Sequence, residues 1–201
     1  IREQAQDAPV VVASLESLVI VRAGDNIARP DGNVTGFATL GVELIGKRLE
    51  LLREIMPQLA KVAVVTNPGN RNHPALVEAA RQSGRLQGLD IALVDVGRIA
   101  DMAGRLAQAR ADGVQAALFV RDFAFESGRA EVVAAANGAG LASMFDVGTY
   151  VTLGGLASYS PSRTDLFRRT ASYVARILAG ERPANLPIQL PTRFELLVNL
   201  R

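Results

Sequence analysis

Between Lys61 and Phe145 the chain alternates short apolar runs with longer amphipathic stretches, and few folds accommodate that rhythm. Lys61 to Thr66 (KVAVVT), Asp90 to Val96, Gln115 to Val120 (QAALFV) and Leu141 to Phe145 read as strands. Pro74 to Gln87, Ile99 to Ala111 and Glu126 to Asn137 read as the helices between them. A strand that is apolar on both faces must be covered on both. The βαβαβαβ order therefore predicts an α/β fold, a parallel sheet with helices on both faces. Right-handed crossovers then gather the carboxyl ends of the strands on one edge.

The flanking segments are more varied. Pro9 to Leu15 reads as a buried strand, and Leu18 to Ala28 as a short helix capped by Ser17. Asp31-Gly32 marks a turn. Val42, Ile45, Leu49, Leu52 and Met56 recur at helical steps, which predicts a helix over 41–56 closed by Pro57. Leu153 to Ser160 is Gly-rich and then polar, and reads as a crossover. Ser162 to Ala179 reads as a helix with Ser162 as N-cap and Gly180 as C-cap. Glu181 to Pro191 holds three prolines and reads as an extended linker, with one more strand over Phe194 to Leu200.

Composition removes several function classes. Lys and Arg number 22 against 20 Asp and Glu, a net charge of +2. With no basic run or aromatic-interleaved stripe, nucleic acid is not an expected partner. Cysteine is absent, which excludes disulfides, thiolate nucleophiles and zinc–cysteine sites. His73 is the sole histidine, placed at a helix start where a surface or capping role outweighs catalysis. No Gly-x-Ser-x-Gly elbow, phosphate-binding loop or dinucleotide fingerprint is present, and no His/carboxylate set has metal-ligand spacing. The reading is of a protein that is not an enzyme, with no catalytic residue, cofactor or metal.

Ligands of open parallel sheets bind beyond the carboxyl ends of the strands. That rule selects Ser14, Glu16 and Ser17 after the first strand and Asn67 and Asn70 after the second. It also selects Arg121 and Asp122, then Asp146 and Tyr150, and Tyr159 at the Gly-rich crossover. Hydroxyls, amides, both charge signs and rings together suit a small polar or zwitterionic solute with an apolar part. Each residue has a plainer reading. Asn67-Pro-Gly-Asn70 serves equally as a turn closing a loop, Arg121-Asp122 as a surface ion pair, and Glu16 as a solvated carboxylate.

Three blocks carry a further signal. They are Arg29-Pro-Asp-Gly-Asn-Val-Thr-Gly36 running into Glu43-Leu-Ile-Gly-Lys-Arg-Leu-Glu-Leu-Leu52, then Gly154-Gly-Leu-Ala-Ser-Tyr-Ser160, then Pro191-Thr-Arg-Phe-Glu-Leu-Leu-Val-Asn-Leu200. In this order and spacing the chain resembles the substrate-binding proteins that serve a class of bacterial ABC importers. The resemblance implies the type I periplasmic-binding-protein fold, two α/β lobes joined by three crossovers around a ligand. On it, 1–34 is a remnant of the first lobe and its crossover, and 35–153 is a complete, Rossmann-like second lobe. Residues 154–190 return to the first lobe with a long helix, and 191–201 return to the second. Most of the first lobe would lie upstream of Ile1, and a few residues beyond Leu200.

The same resemblance implies a small-molecule solute and ABC permease subunits as partners, and a periplasmic or lipid-anchored extracytoplasmic location. Apolar faces left by the missing lobe imply a homo-oligomer. Lobe closure would hinge near 35–39 and 154–158. The chain departs from the family pattern at cleft-edge positions. Glu16-Ser17-Leu18 stands where Gly-Asp-Pro is common, Gly148-Thr149-Tyr150 where Arg-Glu-Phe is, and Arg121-Asp122-Phe123 where Pro-Asp-Pro is. The alternative from the same fold is a ligand-sensing module of a regulator or signalling protein.

Overall fold

The computed structural model describes residues 8–15, 27–30 and 32–200. Its strands are β1 (Val10–Leu15), β2 (Val34–Ala38), β3 (Lys61–Thr66), β4 (Asp90–Asp95), β5 (Ala116–Phe119), β6 (Ala142–Phe145), β7 (Ala157–Pro161) and β8 (Phe194–Val198). Its α-helices are α1 (Ile45–Ile55), α2 (His73–Gln87), α3 (Met102–Ala111), α4 (Phe123–Ser127), α5 (Arg129–Gly138), α6 (Thr149–Thr152) and α7 (Arg163–Leu178). The chain forms two compact units, one of residues 1–40 and 161–194, the other of 41–160 and 195–201. The passages between them fall a few residues later than the sequence boundaries at Val34, Leu153 and Leu190. β2 pairs with β1 and β7 pairs with β6, so each strand runs on before the chain leaves its unit.

The larger unit carries a six-stranded sheet in the order β4-β3-β5-β6-β7-β8. β3 pairs in parallel with both β4 and β5, β5 with β6, and β6 with β7. At the outer edge Asn199 donates to the Leu156 carbonyl, and Ser162 to that of Arg193. Residue numbers rise on one strand as they fall on the other, so β8 runs antiparallel to β7. The mostly parallel α/β class is thus observed, with one reversed edge strand.

Alternation along each strand splits the core into two layers. Val62, Val64, Ala116, Leu118, Met144 and Ala157 face α1 and α2 with Ile45, Leu49, Leu52 and Ala80. Ala63, Val65, Ala117, Phe119 and Phe145 face α3 and α5 with Leu106, Val132 and Ala136. This double burial is why the strands read as continuous apolar runs.

Three local expectations change. The helix over Glu126 to Asn137 is two, α4 and α5, broken at Gly128, where an added Cβ would lie 3.1 Å from Ile99 Cγ1. The Gly-rich crossover is largely β7, and Tyr150 sits in the short helix α6. The helix expected over Leu18 to Ala28 falls mostly on residues outside those described; Ile27 and Ala28 form a turn.

In the smaller unit β1 and β2 pair in parallel, with Val12 opposite Gly36. Gly36 has φ +146°, and a Cβ there would stand 2.0 Å from the Val12 carbonyl oxygen. Only glycine fits so close an approach. Phe37, Leu166, Tyr173 and Leu186 form the core of this unit. The Tyr173 hydroxyl donates to the Pro187 carbonyl and accepts from Gln189, which locks the proline-rich segment onto α7. Ser162 caps α7, its Oγ accepting the Asp165 N–H.

Candidate functional site

The carboxyl ends of β3, β5, β6 and β7 meet on one edge of the larger unit, and most of the residues selected from the sequence stand there. Asn67 and Asn70 follow β3. The Asn67 Oδ1 accepts the Gly69 N–H at 3.0 Å, and the Asn70 Oδ1 accepts the Asn72 N–H at 3.0 Å. Those bonds turn both side-chain NH2 groups toward Asp122, whose Oδ1 accepts from Asn67 at 3.2 Å and Oδ2 from Asn70 at 2.9 Å. Asp122 also caps α4, accepting the Ala124 N–H at 2.8 Å, and is 5% exposed. Its carboxylate is thus engaged within the chain, tying the loop after β3 to the loop after β5.

His73 completes that tie and is buried, not at the surface as its helix-start position suggested. Its Nδ1 accepts the Asn67 backbone N–H at 2.8 Å, so the ring proton belongs on Nε2. Nε2–H then donates to the Arg121 carbonyl at 2.9 Å. Both nitrogens are occupied by main-chain groups, and Nε2 also lies 3.6 Å from Asp122 Oδ2.

Beside this tie lies a group of opposite charges. Arg121 follows β5 and Asp146 follows β6. Arg121 Nη2 is 3.4 Å from Glu126 Oε1, and its Nε is 3.9 Å from Asp146 Oδ2. The side chains of Arg121 and Glu126 keep 29% and 23% of their exposure, and that of Asp146 keeps 9%. Burial raises the Asp146 pKa above the usual carboxylate range, while Arg48 and Arg121 pull it back.

Arg48 is the residue that the strand-end rule missed. It is 4% exposed on the core face of α1, and its Nε donates to the Tyr159 carbonyl at 2.9 Å. Burial lowers its pKa and the charge of Asp146 opposes that shift. A signal was present: Arg48 occupies the stripe of Ile45, Leu49 and Leu52, where an apolar residue is expected.

The remaining selected residues divide. Tyr159 lies on β7, half-buried against the α1 and α2 layer. Tyr150 is a core residue, its ring stacked on Phe145 at 4.4 Å, and Phe145 stacks on Phe119 at 4.7 Å. Burial first, then Asp146 and Glu126, hold its phenol well above the usual range. Ser14 lies on β1 of the smaller unit, while Glu16 and Ser17 are outside the described residues. A concavity of about 480 Å³ lined by Glu50, Arg53, Glu54, Pro57 and Gln87 lies at the opposite edge of the sheet, beside the loops that enter β3 and β4. Among the described residues no cluster of His, Cys, Asp and Glu could hold a metal ion. No described helix is long and apolar enough to cross a membrane.

Comparison with known proteins agrees with this architecture. No curated protein matches the chain. Its structure is similar to a conserved domain protein from Vibrio cholerae O1 biovar eltor, at 28% identity and a TM-score of 0.83 over 96% of this chain and 64% of that one. It is similar to the ABC domain in complex with L-Trp from Streptococcus pneumonia, at 21% identity and a TM-score of 0.81 over 96% and 66%. It also resembles a ligand-free, open substrate-binding protein with adhesive properties from Clostridium difficile, at 19% identity and a TM-score of 0.74 over 97% and 65%. The chain thus spans 64–66% of the length of these three structures. Their likeness gives the fold as the type I periplasmic-binding-protein architecture. The profile of the family described as ABC transporter substrate binding protein matches residues 1–201, so the chain belongs to that family.

Proposed function

We propose that the chain is the solute-binding part of a bacterial ABC importer. It takes a small organic solute at the strand-carboxyl edge of its larger unit and delivers it to permease subunits. Its place would be extracytoplasmic, in the periplasm or held by a lipid anchor. The observation that carries this is the charge group of Arg121, Asp146 and Glu126 at the strand-carboxyl edge. Two of its ion pairs are 3.4 and 3.9 Å long, and its members stay partly open to solvent. Such pairs can exchange a partner for the ammonium or carboxylate of a solute. An amino acid or related compound fits that chemistry, and the Streptococcus pneumonia domain is in complex with L-Trp. In this reading Arg121, Asp146 and Tyr159 face the solute. Asn67, Asn70 and Asp122 hold the loops that present them.

Native mass spectrometry of the purified chain, followed by calorimetric titration with L-tryptophan and other amino acids, tests the proposal. Saturable binding that Arg121→Ala weakens tenfold or more supports it. A chain that carries no small molecule and binds no member of the panel refutes it.

A further inference from the structure

We propose that Arg48 is a positioning residue of the solute site, pairing its buried charge with Asp146 and tethering the backbone of Tyr159. The assignment rests on the reading that the strand edge of the larger unit takes the solute.

The geometry begins with register. β6 and β7 run in parallel with Phe145 opposite Ser158, so the next residues along, Asp146 and Tyr159, are brought side by side. α1 crosses this point on the layer that covers Leu118, Met144 and Ala157. A guanidinium that reaches the Tyr159 carbonyl from α1 is thereby brought near Asp146. Its Nε donates to the Tyr159 carbonyl at 2.9 Å, and the charge of Asp146 opposes the effect of its burial.

Burying a guanidinium among Ile45, Leu49 and Leu52 is costly unless the charge is matched. Every other residue on this stripe of α1 is apolar, so packing alone does not call for arginine. Arg48 from α1, Arg121 after β5, Glu126 on α4 and Tyr150 on α6 interact electrostatically with Asp146, and Tyr159 on β7 lies beside it. Of these only the two arginines favour its ionised form. Arg121 is the partly exposed one of the two, with 29% of its side-chain exposure kept. Arg48, fully inside, favours the ionised form of Asp146 whichever partner Arg121 takes.

The test uses the full chain. The carboxyl carbon of Asp146 is titrated by NMR in the parent, in Arg48→Met and in Arg48→Lys. L-tryptophan binding is measured calorimetrically on each between pH 5 and 8. The expected result is a midpoint raised by about 1 to 3 pH units in Arg48→Met and close to the parent in Arg48→Lys. Binding to Arg48→Met should weaken about tenfold at the acidic end of that range and recover as pH rises and Asp146 ionises. Should Arg48→Met not fold, Arg48→Gln removes the charge while keeping a donor for Tyr159.

An unmoved midpoint in the uncharged variant overturns the proposal. So does a moved midpoint with binding unchanged at every pH, which would make the pair structural only. A parent that binds no L-tryptophan, nor any amino acid of the panel, refutes the solute reading and the positioning role with it. The midpoints would then report the ion pair alone, which keeps the two failures apart.

Discussion

Replacing Asp122 by alanine should destabilise the larger unit by about 3 kcal/mol. Three hydrogen bonds converge on this carboxylate, from Asn67 Nδ2, Asn70 Nδ2 and the Ala124 N–H, at 3.2, 2.9 and 2.8 Å. A hydrogen bond to a charged group contributes about 1.5–3 kcal/mol, so simple addition would give roughly 4.5–9 kcal/mol. Two effects reduce that sum. The asparagines are only half-buried and can turn their amides to water, and alanine removes the cost of holding a carboxylate at 5% exposure. Loss of the α4 cap, worth about 1 kcal/mol, is not recovered.

A net loss near 3 kcal/mol corresponds to a fall of about 6–12 °C in Tm for a chain of this size. Asp122→Asn is the informative control. It keeps one carbonyl oxygen for Asn67 and Ala124 but points an NH2 at Asn70. Neither asparagine can flip to accept it without breaking its bond to Gly69 or Asn72. Its loss should be about 1.5 kcal/mol, as two charged hydrogen bonds weaken and one is replaced by opposed donors. Urea unfolding followed by circular dichroism measures both variants. If Asp122→Ala costs less than about 1 kcal/mol, the carboxylate does not join the two loops and the reasoning fails.

Gly36→Ala should separate β1 from β2, because the new methyl would sit 2.0 Å from the Val12 carbonyl oxygen; lost hydrogen-exchange protection of the strand amides at 34–38 would show it, and retained protection would refute it. The raised pKa of Asp146 makes the native state bind more protons than the unfolded chain between the ordinary carboxylate value and the folded value. Through that window its contribution to stability falls as pH rises, opposite to a salt-bridged surface carboxylate. Asp146→Asn should remove that slope in chemical unfolding series at stepped pH; parallel parent and variant curves would contradict it. On β8, an edge strand, Leu196, Leu197 and Val198 are 46%, 41% and 36% exposed, a surface suited to association with a second copy. If copies meet there, Leu196→Lys lowers the mass seen by light scattering, while a parent already monomeric at high concentration removes the idea.

The alternating rhythm from Lys61 to Phe145 carried the fold because strands apolar on both faces admit little but a covered parallel sheet. α7 was legible for a local reason too: Ser162 accepts the Asp165 N–H, and Gly180 takes φ +99° just past its end. β2 and β7 were not legible as strands. VTGFA contains a glycine and ASYSP is polar, and both are strands because of the neighbours they pair with.

The site divides in the same way. The rule that ligands lie beyond strand ends placed Asn67, Asn70, Arg121, Asp122 and Asp146 on one edge from sequence alone. What those side chains do there was decided in three dimensions. Asn67 and Asp122 are 55 residues apart, and Arg48 and Tyr159 are 111 apart. No local pattern announces bonds across such separations. Tyr150 follows a strand as a solute-facing residue would, yet stacks into the core. Periodicity reports which face of an element is buried, so the sequence by itself determined the alternating elements from Lys61 to Phe145 and the edge on which their carboxyl-end residues gather. Which polar group meets which depends on chain crossings that bring distant residues within hydrogen-bonding distance, and only the tertiary structure decides those.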